Sequence, residues 1–277
     1  MAMDNMYSIL MAVTAYTCIS IGFVFMKKGI GWIGWKGKKE LKYFRSVVLW
    51  VFGFIIMNIY ALPSAIALKK LPSHIVASFA GWGIIVLVFL SYFILKEKLF
   101  YTDYLYSSLI VLGIIMLNVY EKKDIANNIA NNIVNKANIF WMILLTTIPL
   151  VLFISGFFNN LSAKIKTVIF AAVSGISAGL MVVYLGLLIQ NFGNKIIEYP
   201  KSPYLFLYML FALLSFFSLQ IAMKKGEMII IGPVQYSMNI IYPVFASLLL
   251  FDIKFVIQQY LAITLIVYSI SGILKRH

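Results

Sequence analysis

The sequence predicts an all-α, polytopic membrane protein with about nine transmembrane helices, and three observations carry this prediction. Nine apolar stretches, each of roughly 18 to 23 residues, make up most of the chain. Hydrophobic residues amount to 62% of the 277 residues and charged residues to 12%, far from the balance of soluble domains. The chain also repeats itself internally. We therefore expect two inverted four-helix repeats joined by a lone helix.

Each apolar stretch is long enough to cross the roughly 30 Å of hydrocarbon in a bilayer as a helix. Helices are required because lipid cannot form hydrogen bonds with a free backbone. In chain order, the predicted spans are 6–26, 46–68, 73–95, 103–120, 139–158, 168–190, 203–223, 228–250 and 255–274.

The spans divide the chain into three parts. Residues 1–120 are assigned to the first repeat, residues 121–160 to a linker with the lone helix, and residues 161–277 to the second repeat. The asparagine-rich segment 121–138 is typical of a polar linker. Cys18 is the only cysteine and lies within a span, so disulfides and cysteine-based metal clusters are excluded.

The basic residues predict the orientation in the membrane. If the amino terminus is outside, fifteen of the 23 lysines and arginines lie in inner loops and eight in outer loops. Short cytoplasmic loops carry such an excess of positive charge. We therefore expect a multi-pass protein of the cell (plasma) membrane, with its amino terminus outside and its carboxyl terminus in the cytoplasm.

The net charge of +14 raises the question of an anionic partner. The lysines flank the apolar spans, where they meet the anionic headgroups of lipids. The segment from Lys27 to Arg45, with Trp32 and Trp35, is typical of a membrane interface rather than of a nucleic-acid surface. The expected partners are the lipid bilayer and a small-molecule or ion substrate, with no nucleic acid, and the protein is expected to be a monomer or homodimer.

The internal repeat has an offset of 155 residues, which places Lys69-Lys70 on Lys224-Lys225 and Glu97 on Asp252. The two copies lie five spans apart. Because five is odd, the copies cross the membrane in opposite senses. Inverted repeats of this kind suit alternating access, in which opening one side closes the other around a site at the midplane.

Several short motifs carry a family resemblance. They are Gly22–Lys27 at the end of span one, Leu71–Val76, Leu90–Phe93, Glu97, and Leu112–Ile114. Their order and spacing resemble the drug/metabolite transporter superfamily, especially its four-helix small multidrug resistance branch. That branch carries a glutamate within the first helix, whereas this chain has Ile19 at the matching position. The resemblance therefore implies a transporter fold without the proton exchange that depends on this carboxylate.

A second set of motifs resembles the NIPA-type magnesium transporters within the same superfamily. These motifs are Lys27–Gly29 after span one, Ser174–Ser177 in span six, and Gly232–Tyr236, which opens span eight. The nine-span arrangement is similar as well. This resemblance implies Mg²⁺ as a substrate.

Span eight contains the clearest candidate binding surface. Gly232, Gln235, Asn239, Tyr242 and Ala246 recur at steps of three and four residues, so they share one helical face. Polar residues within a membrane are costly unless they pair or line a wet cavity. This polar stripe is either one wall of a substrate site or a set of hydrogen-bonding contacts with neighbouring helices.

Further candidates complete the predicted substrate site. Asn58 lies at the centre of span two, and Tyr92 matches an aromatic position that contacts a cation in the small multidrug transporters. The predicted substrate-binding residues are Asn58, Tyr92, Gln235, Tyr236, Asn239 and Tyr242. A structural role is favoured for Tyr16, Thr17, Ser174, Ser177, Tyr184 and Gln220, since serine and threonine often bond back to their own helix.

The sequence argues against an enzyme. It lacks a phosphate-binding Gly-x-x-x-x-Gly-Lys loop and a nucleophile elbow, and its two histidines, His74 and His277, are far apart in sequence. We expect no catalytic residues, no resident metal and no cofactor.

Three functions remain open at this stage. The first is a secondary transporter that moves a metabolite, an organic cation or a lipid headgroup by alternating access. The second is a NIPA-like magnesium permease, in which neutral oxygens hold an ion that keeps most of its water. The third is a non-transporting membrane subunit, for which the polar stripe would be a helix contact.

Overall fold

The computed structural model describes residues 2–32, 41–68, 71, 73–119, 136–158, 160–192, 196–251 and 256–276. Over these residues the chain is helical and contains no strand. This confirms the predicted all-α class. Lys69-Lys70, Asp252, His277 and most of the predicted linker lie outside the described residues.

Eleven α-helices follow one another along the described part of the chain. They are α1 (Ala2–Gly29), α2 (Leu41–Ile59), α3 (Ala61–Leu68), α4 (Ser73–Ser78), α5 (Ala80–Leu90), α6 (Tyr101–Val119), α7 (Lys136–Ser155), α8 (Ala163–Phe192), α9 (Pro203–Lys225), α10 (Met228–Phe251) and α11 (Ile257–Arg276). A π-helical turn, Ser91–Leu95, extends α5, and short 3-10 turns occur at Ile30–Trp32 and Ile196–Lys201.

The helices follow the order of the predicted spans. Seven segments among the described residues are long and apolar enough to cross a membrane, and two apolar helices, Tyr101–Leu117 and Phe140–Ser155, are shorter. The shorter pair corresponds to predicted spans four and five. The chain is therefore a polytopic helical membrane protein in which the count of nine spans is approximate.

Two of the predicted spans are interrupted. Span two is divided at Tyr60 into α2 and α3, and span three is divided at Phe79 into α4 and α5. Pro63 lies in the first turn of α3, where its missing N–H removes no helical hydrogen bond. The interruption therefore occurs three residues before Pro63.

The chain forms two compact units. Unit 1 contains Met1–Tyr120, Gly226–Pro233 and Gln258–His277, and unit 2 contains Glu121–Lys225 and Val234–Ile257. Helix α10 thus begins in unit 1 and continues in unit 2, with the boundary between Pro233 and Val234. The division of the chain into inverted repeats stays a prediction.

Close helix packing holds unit 1 together. Helices α1 and α2 approach so closely that a Cβ atom on Gly22 would lie 2.7 Å from the carbonyl oxygen of Gly53. Ser20 of α1 donates a hydrogen bond to the carbonyl of Gly83 in α5 at 2.7 Å. Glycine and serine at such contacts let membrane helices pack without a hydrophobic driving force.

Unit 2 is built on the antiparallel pair α8 and α9. Its core contains Val173, Leu180 and Tyr184 from α8, and Phe211 from α9. The rings of Tyr184 and Phe211 stack, with their centroids 5.8 Å apart. This core fixes the face that α8 presents to α10 within the same unit.

Candidate functional site

The candidate site in unit 2 begins with the close contact between α8 and α10. Gly175 and Gly179, one turn apart on α8, face the turns of α10 that contain Gln235, Asn239 and Pro243. A Cβ atom on Gly179 would lie 2.6 Å from the Cγ of Pro243. Only glycine allows this approach, so the two helices meet backbone to backbone at the centre of the predicted polar stripe.

A pair of serines joins α8 to α9. The hydroxyl of Ser215 donates a hydrogen bond to the carbonyl oxygen of Ser174 at 2.9 Å, and the two hydroxyl oxygens are 3.4 Å apart. Ser177 and Ser218 lie three residues further along α8 and α9 respectively, so each is close to the same face as the bonded serine of its helix.

Within the described part of unit 2, four buried side-chain oxygens have no hydrogen-bond partner. They are the Oγ atoms of Ser177, Ser218 and Ser237 and the Oε1 of Gln235. The three serines are fully buried and Gln235 is 6% exposed. Buried polar groups without partners are uncommon in native proteins, and each one requires an explanation such as a water molecule, an ion or a ligand.

Backbone oxygens add to this polar character. Pro243 has no N–H, so it cannot donate the helical hydrogen bond to the carbonyl of Asn239. A Cβ atom on Gly179 would lie 3.1 Å from that carbonyl oxygen, which therefore faces α8. The side chain of Asn239 is half-buried, and that of Tyr236 is buried.

Tyr242 has a partner within unit 2. Its hydroxyl donates a hydrogen bond to the carbonyl oxygen of Leu145 in α7 at 2.6 Å. Pro149 lies four residues after Leu145 and has no N–H, so that carbonyl has no helical donor. Tyr242 therefore supplies the missing hydrogen bond, and its membership of a substrate site stays a prediction.

The remaining predicted residues, Asn58 and Tyr92, belong to unit 1. Asn58 is exposed, and its side-chain amide donates to the carbonyl of Phe54, in the same helix, at 2.7 Å. Tyr92 is 47% exposed in the π-helical turn and contacts Phe93 edge to face. The structure thus brings Gln235, Asn239 and Tyr242 together in unit 2, and the roles of Asn58 and Tyr92 stay predictions.

The chemistry of the site depends on neutral oxygen atoms. Helices α8, α9 and α10 contain no aspartate or glutamate. Among the described residues, no group of three or more His, Cys, Asp or Glu side chains could hold a metal ion. The buried oxygens can instead accept hydrogen bonds from the waters of a hydrated cation or from the N–H groups of an organic cation.

Sequence reasoning missed part of this arrangement. Ser218 lies on the largely apolar helix α9, and Ser237 lies off the polar face of α10, so no periodicity distinguishes them from other membrane serines. The sequence favours a structural role for Ser177, but its hydroxyl has no hydrogen-bond partner among the residues that the structure describes. By contrast, Thr17 does bond back to its own helix, at the carbonyl of Val13.

Comparison with known protein families identifies a match. A protein-family model described as magnesium transporter NIPA matches residues 3–275. No curated protein and no solved structure matches the chain. The family match covers both units and every helix that contributes to the candidate site.

Proposed function

The chain belongs to the NIPA magnesium transporter family, and on this premise we propose that it carries Mg²⁺ across the membrane. Among the three functions that the sequence left open, family membership favours the magnesium permease over the organic-solute transporter and the non-transporting subunit. The proposed setting is the cell membrane, with the amino terminus outside.

The observation that carries the proposal is the set of partnerless buried oxygens in the described part of unit 2, formed by Ser177, Ser218, Gln235 and Ser237. Mg²⁺ gives up its water reluctantly and usually keeps several water ligands when it binds a protein. Those waters are hydrogen-bond donors, and the four oxygens are acceptors. Buried neutral acceptors of this kind therefore suit an ion that passes through with most of its hydration shell.

The absence of carboxylates from α8, α9 and α10 favours rapid release of the bound Mg²⁺. A carboxylate in a medium of low dielectric constant would hold a divalent ion strongly. Neutral oxygens bind it more weakly, which allows both entry and exit. Alternating access by two inverted repeats supplies the proposed movement, since the site would face one side of the membrane at a time.

The test is Mg²⁺ uptake into proteoliposomes that contain a magnesium-sensitive dye. The Gln235→Leu variant removes the buried oxygen while nearly conserving side-chain volume, and we expect its uptake to fall at least about tenfold. Gln258→Leu is the matched control, since Gln258 is half-buried on α11 in unit 1. Wild-type protein that is folded but transports no Mg²⁺ would refute the proposed function.

A second substrate class is tested in the same preparation. If tetraethylammonium or another organic cation is transported and Mg²⁺ is not, the organic-solute function replaces the magnesium function. If Gln235→Leu and the control both transport Mg²⁺ at the wild-type rate, the proposed site is wrong although the function stands.

A further inference from the structure

Helix α10 begins with two amides that are capped by a residue distant in sequence. The carboxylate of Glu97 accepts hydrogen bonds from the backbone N–H of Met228 at 2.8 Å and of Ile229 at 3.0 Å, one on each oxygen. The next two amides, of Ile230 and Ile231, donate to the carbonyl of Glu227. The four amides from Met228 to Ile231 are thus all paired.

We call this arrangement the Glu97 cap. Water cannot take the place of the carboxylate as the acceptor for these amides. Met228 is 0% exposed and Ile229 is 1% exposed, so water has little access to their amides. A carboxylate at a helix amino terminus is favoured by the hydrogen bonds and also by the helix dipole. Loss of Glu97 would leave two buried donors without acceptors.

The backbone conformation beside Glu97 places its carboxylate at the start of α10. Lys96 ends the π-helical turn with φ 59°, the one positive φ of a non-glycine residue in the described part of the chain. Left-handed backbone is unfavourable for a residue with a Cβ atom. Lys96 keeps this unfavourable conformation, which indicates that contacts such as the Glu97 cap stabilise the turn.

A lysine from a third helix completes the network. The Nζ of Lys27, in the last turn of α1, donates a hydrogen bond to the carbonyl oxygen of Gly226, two residues before α10. The charged groups that face Glu97 are Lys27 and Glu227. The ends of α1, of the turn after α5 and of the segment before α10 therefore meet at one end of unit 1.

We propose that Glu97 is a positioning residue for transport, because its ionised carboxylate holds the start of the helix that carries Gln235 and Asn239. This inference rests on the proposed function. When the cap is intact, α10 is fixed at its first turn and presents its polar stripe in a defined position. When the cap is lost, the first turn frays and the stripe is displaced.

The proposal predicts a dependence on pH. Burial raises the pKa of Glu97 above its ordinary value, and the charge of Glu227 acts in the same direction; the two amide bonds and Lys27 oppose this. A protonated carboxyl group has one oxygen that donates instead of accepting, so one of the two capping bonds is lost. Acidification should therefore weaken the cap at a higher pH than the roughly 4.3 of a free glutamate.

The experiment measures Mg²⁺ uptake into proteoliposomes by the full-length chain between about pH 4 and pH 8. Wild-type uptake should fall as the pH is lowered. Glu97→Gln should reduce the maximal rate at least about fivefold and abolish this pH dependence. Glu97→Asp, which keeps the charge, should recover part of the rate, and Glu198→Gln, which removes a carboxylate from unit 2, should behave as wild type.

Neutralising Glu227 provides an independent check. Glu227→Gln keeps the cap but removes a charge that raises the pKa of Glu97, so the acidic fall in uptake should move to lower pH. A Glu97→Gln variant with the wild-type rate and pH profile would overturn the proposal.

Amide hydrogen exchange separates this proposal from the proposed function. In wild-type protein the amides of Met228 and Ile229 should be protected, and in Glu97→Gln or Glu97→Asp they should exchange faster while amides near Phe211 are unchanged. This result would support the positioning of α10 even if wild-type protein moved no Mg²⁺. Unchanged protection of both amides would overturn the proposal whether or not transport is observed.

Discussion

Tyr242 shows how a single side chain can offset a proline in a neighbouring helix. Pro149 deprives the carbonyl of Leu145 of its helical donor, and the hydroxyl of Tyr242 donates to that carbonyl at 2.6 Å. Both Tyr242 and Leu145 are buried. The bond therefore protects a buried acceptor that water cannot reach, which gives this hydroxyl a structural role.

The Tyr242→Phe substitution should lower the free energy of unfolding by about 1 to 3 kcal/mol, since a buried acceptor loses its donor. The same substitution in a Pro149→Ala background should cost less, because the alanine restores an N–H that can donate to the carbonyl of Leu145. Denaturation in detergent, followed by circular dichroism, measures both differences. An equal cost in the two backgrounds would show that Tyr242 does not compensate for the proline.

Single residues were predictable from the sequence only as far as helix geometry allows. The three- and four-residue spacing placed Gln235, Asn239 and Tyr242 on one face of a helix, and the structure assigns all three to the same unit. Periodicity contains no information about partners. The bond from Asn58 to its own helix and the Glu97 cap, which joins residues 131 and 132 positions apart, could not be read from the sequence.

At the scale of helices, the approach of α8 to α10 depends on the absence of two side chains. Gly175 and Gly179 lie four residues apart, the spacing that lets membrane helices touch through their backbones. A Cβ atom on Gly175 would lie 2.8 Å from the Cβ of Met238, and backbone atoms of α10 are also within its reach. Backbone atoms cannot rotate away as the end of a flexible side chain can.

The Gly175→Ala substitution should therefore lower the free energy of unfolding by about 1 to 3 kcal/mol, the usual effect of overpacking. Gly31→Ala is the matched control, because a Cβ atom at Gly31 meets nothing within 4 Å. Thermal unfolding of both variants in the same detergent measures the difference. Equal stability of the two variants would mean that α8 and α10 do not pack as closely as the structure has them.

The helices themselves were predictable because the hydrocarbon thickness fixes their length and apolar character. Their interruptions were less predictable. In span two the turn lies at Tyr60 rather than at Pro63, since a proline is accommodated in the first turn of the following helix. The interruption at Phe79 has no proline or polar cluster beside it, so hydropathy gave no indication of it.

For the molecule as a whole, the contacts of unit 1 constrain how the chain crosses the membrane. The bond between Lys27 and Gly226 joins the end of α1 to the start of α10, so these two points lie on the same side. The count of basic residues likewise places the loop after span one and the loop before span eight on one side. Which side faces the cytoplasm, and whether the two repeats are inverted, stay predictions.

Cysteine labelling measures this topology directly. In a Cys18→Ala background, we expect Lys28→Cys and Lys225→Cys to react with a membrane-impermeant maleimide from the same side. Lys201→Cys should react from the opposite side, since α9 separates it from Lys225. In intact cells only the Lys201→Cys variant should be labelled if the amino terminus is outside. Labelling of positions 28 and 225 from opposite sides would contradict the bond between Lys27 and Gly226.

The composition of unit 1 has a consequence for biosynthesis. This unit combines Met1–Tyr120 with Gly226–Pro233 and Gln258–His277, so its parts leave the ribosome at widely separated times. Unit 1 is therefore complete only when its last helix has been translated and inserted after the earlier ones. A nonsense codon after Ile257 would leave unit 1 incomplete, although all of residues 1–120 had been synthesised.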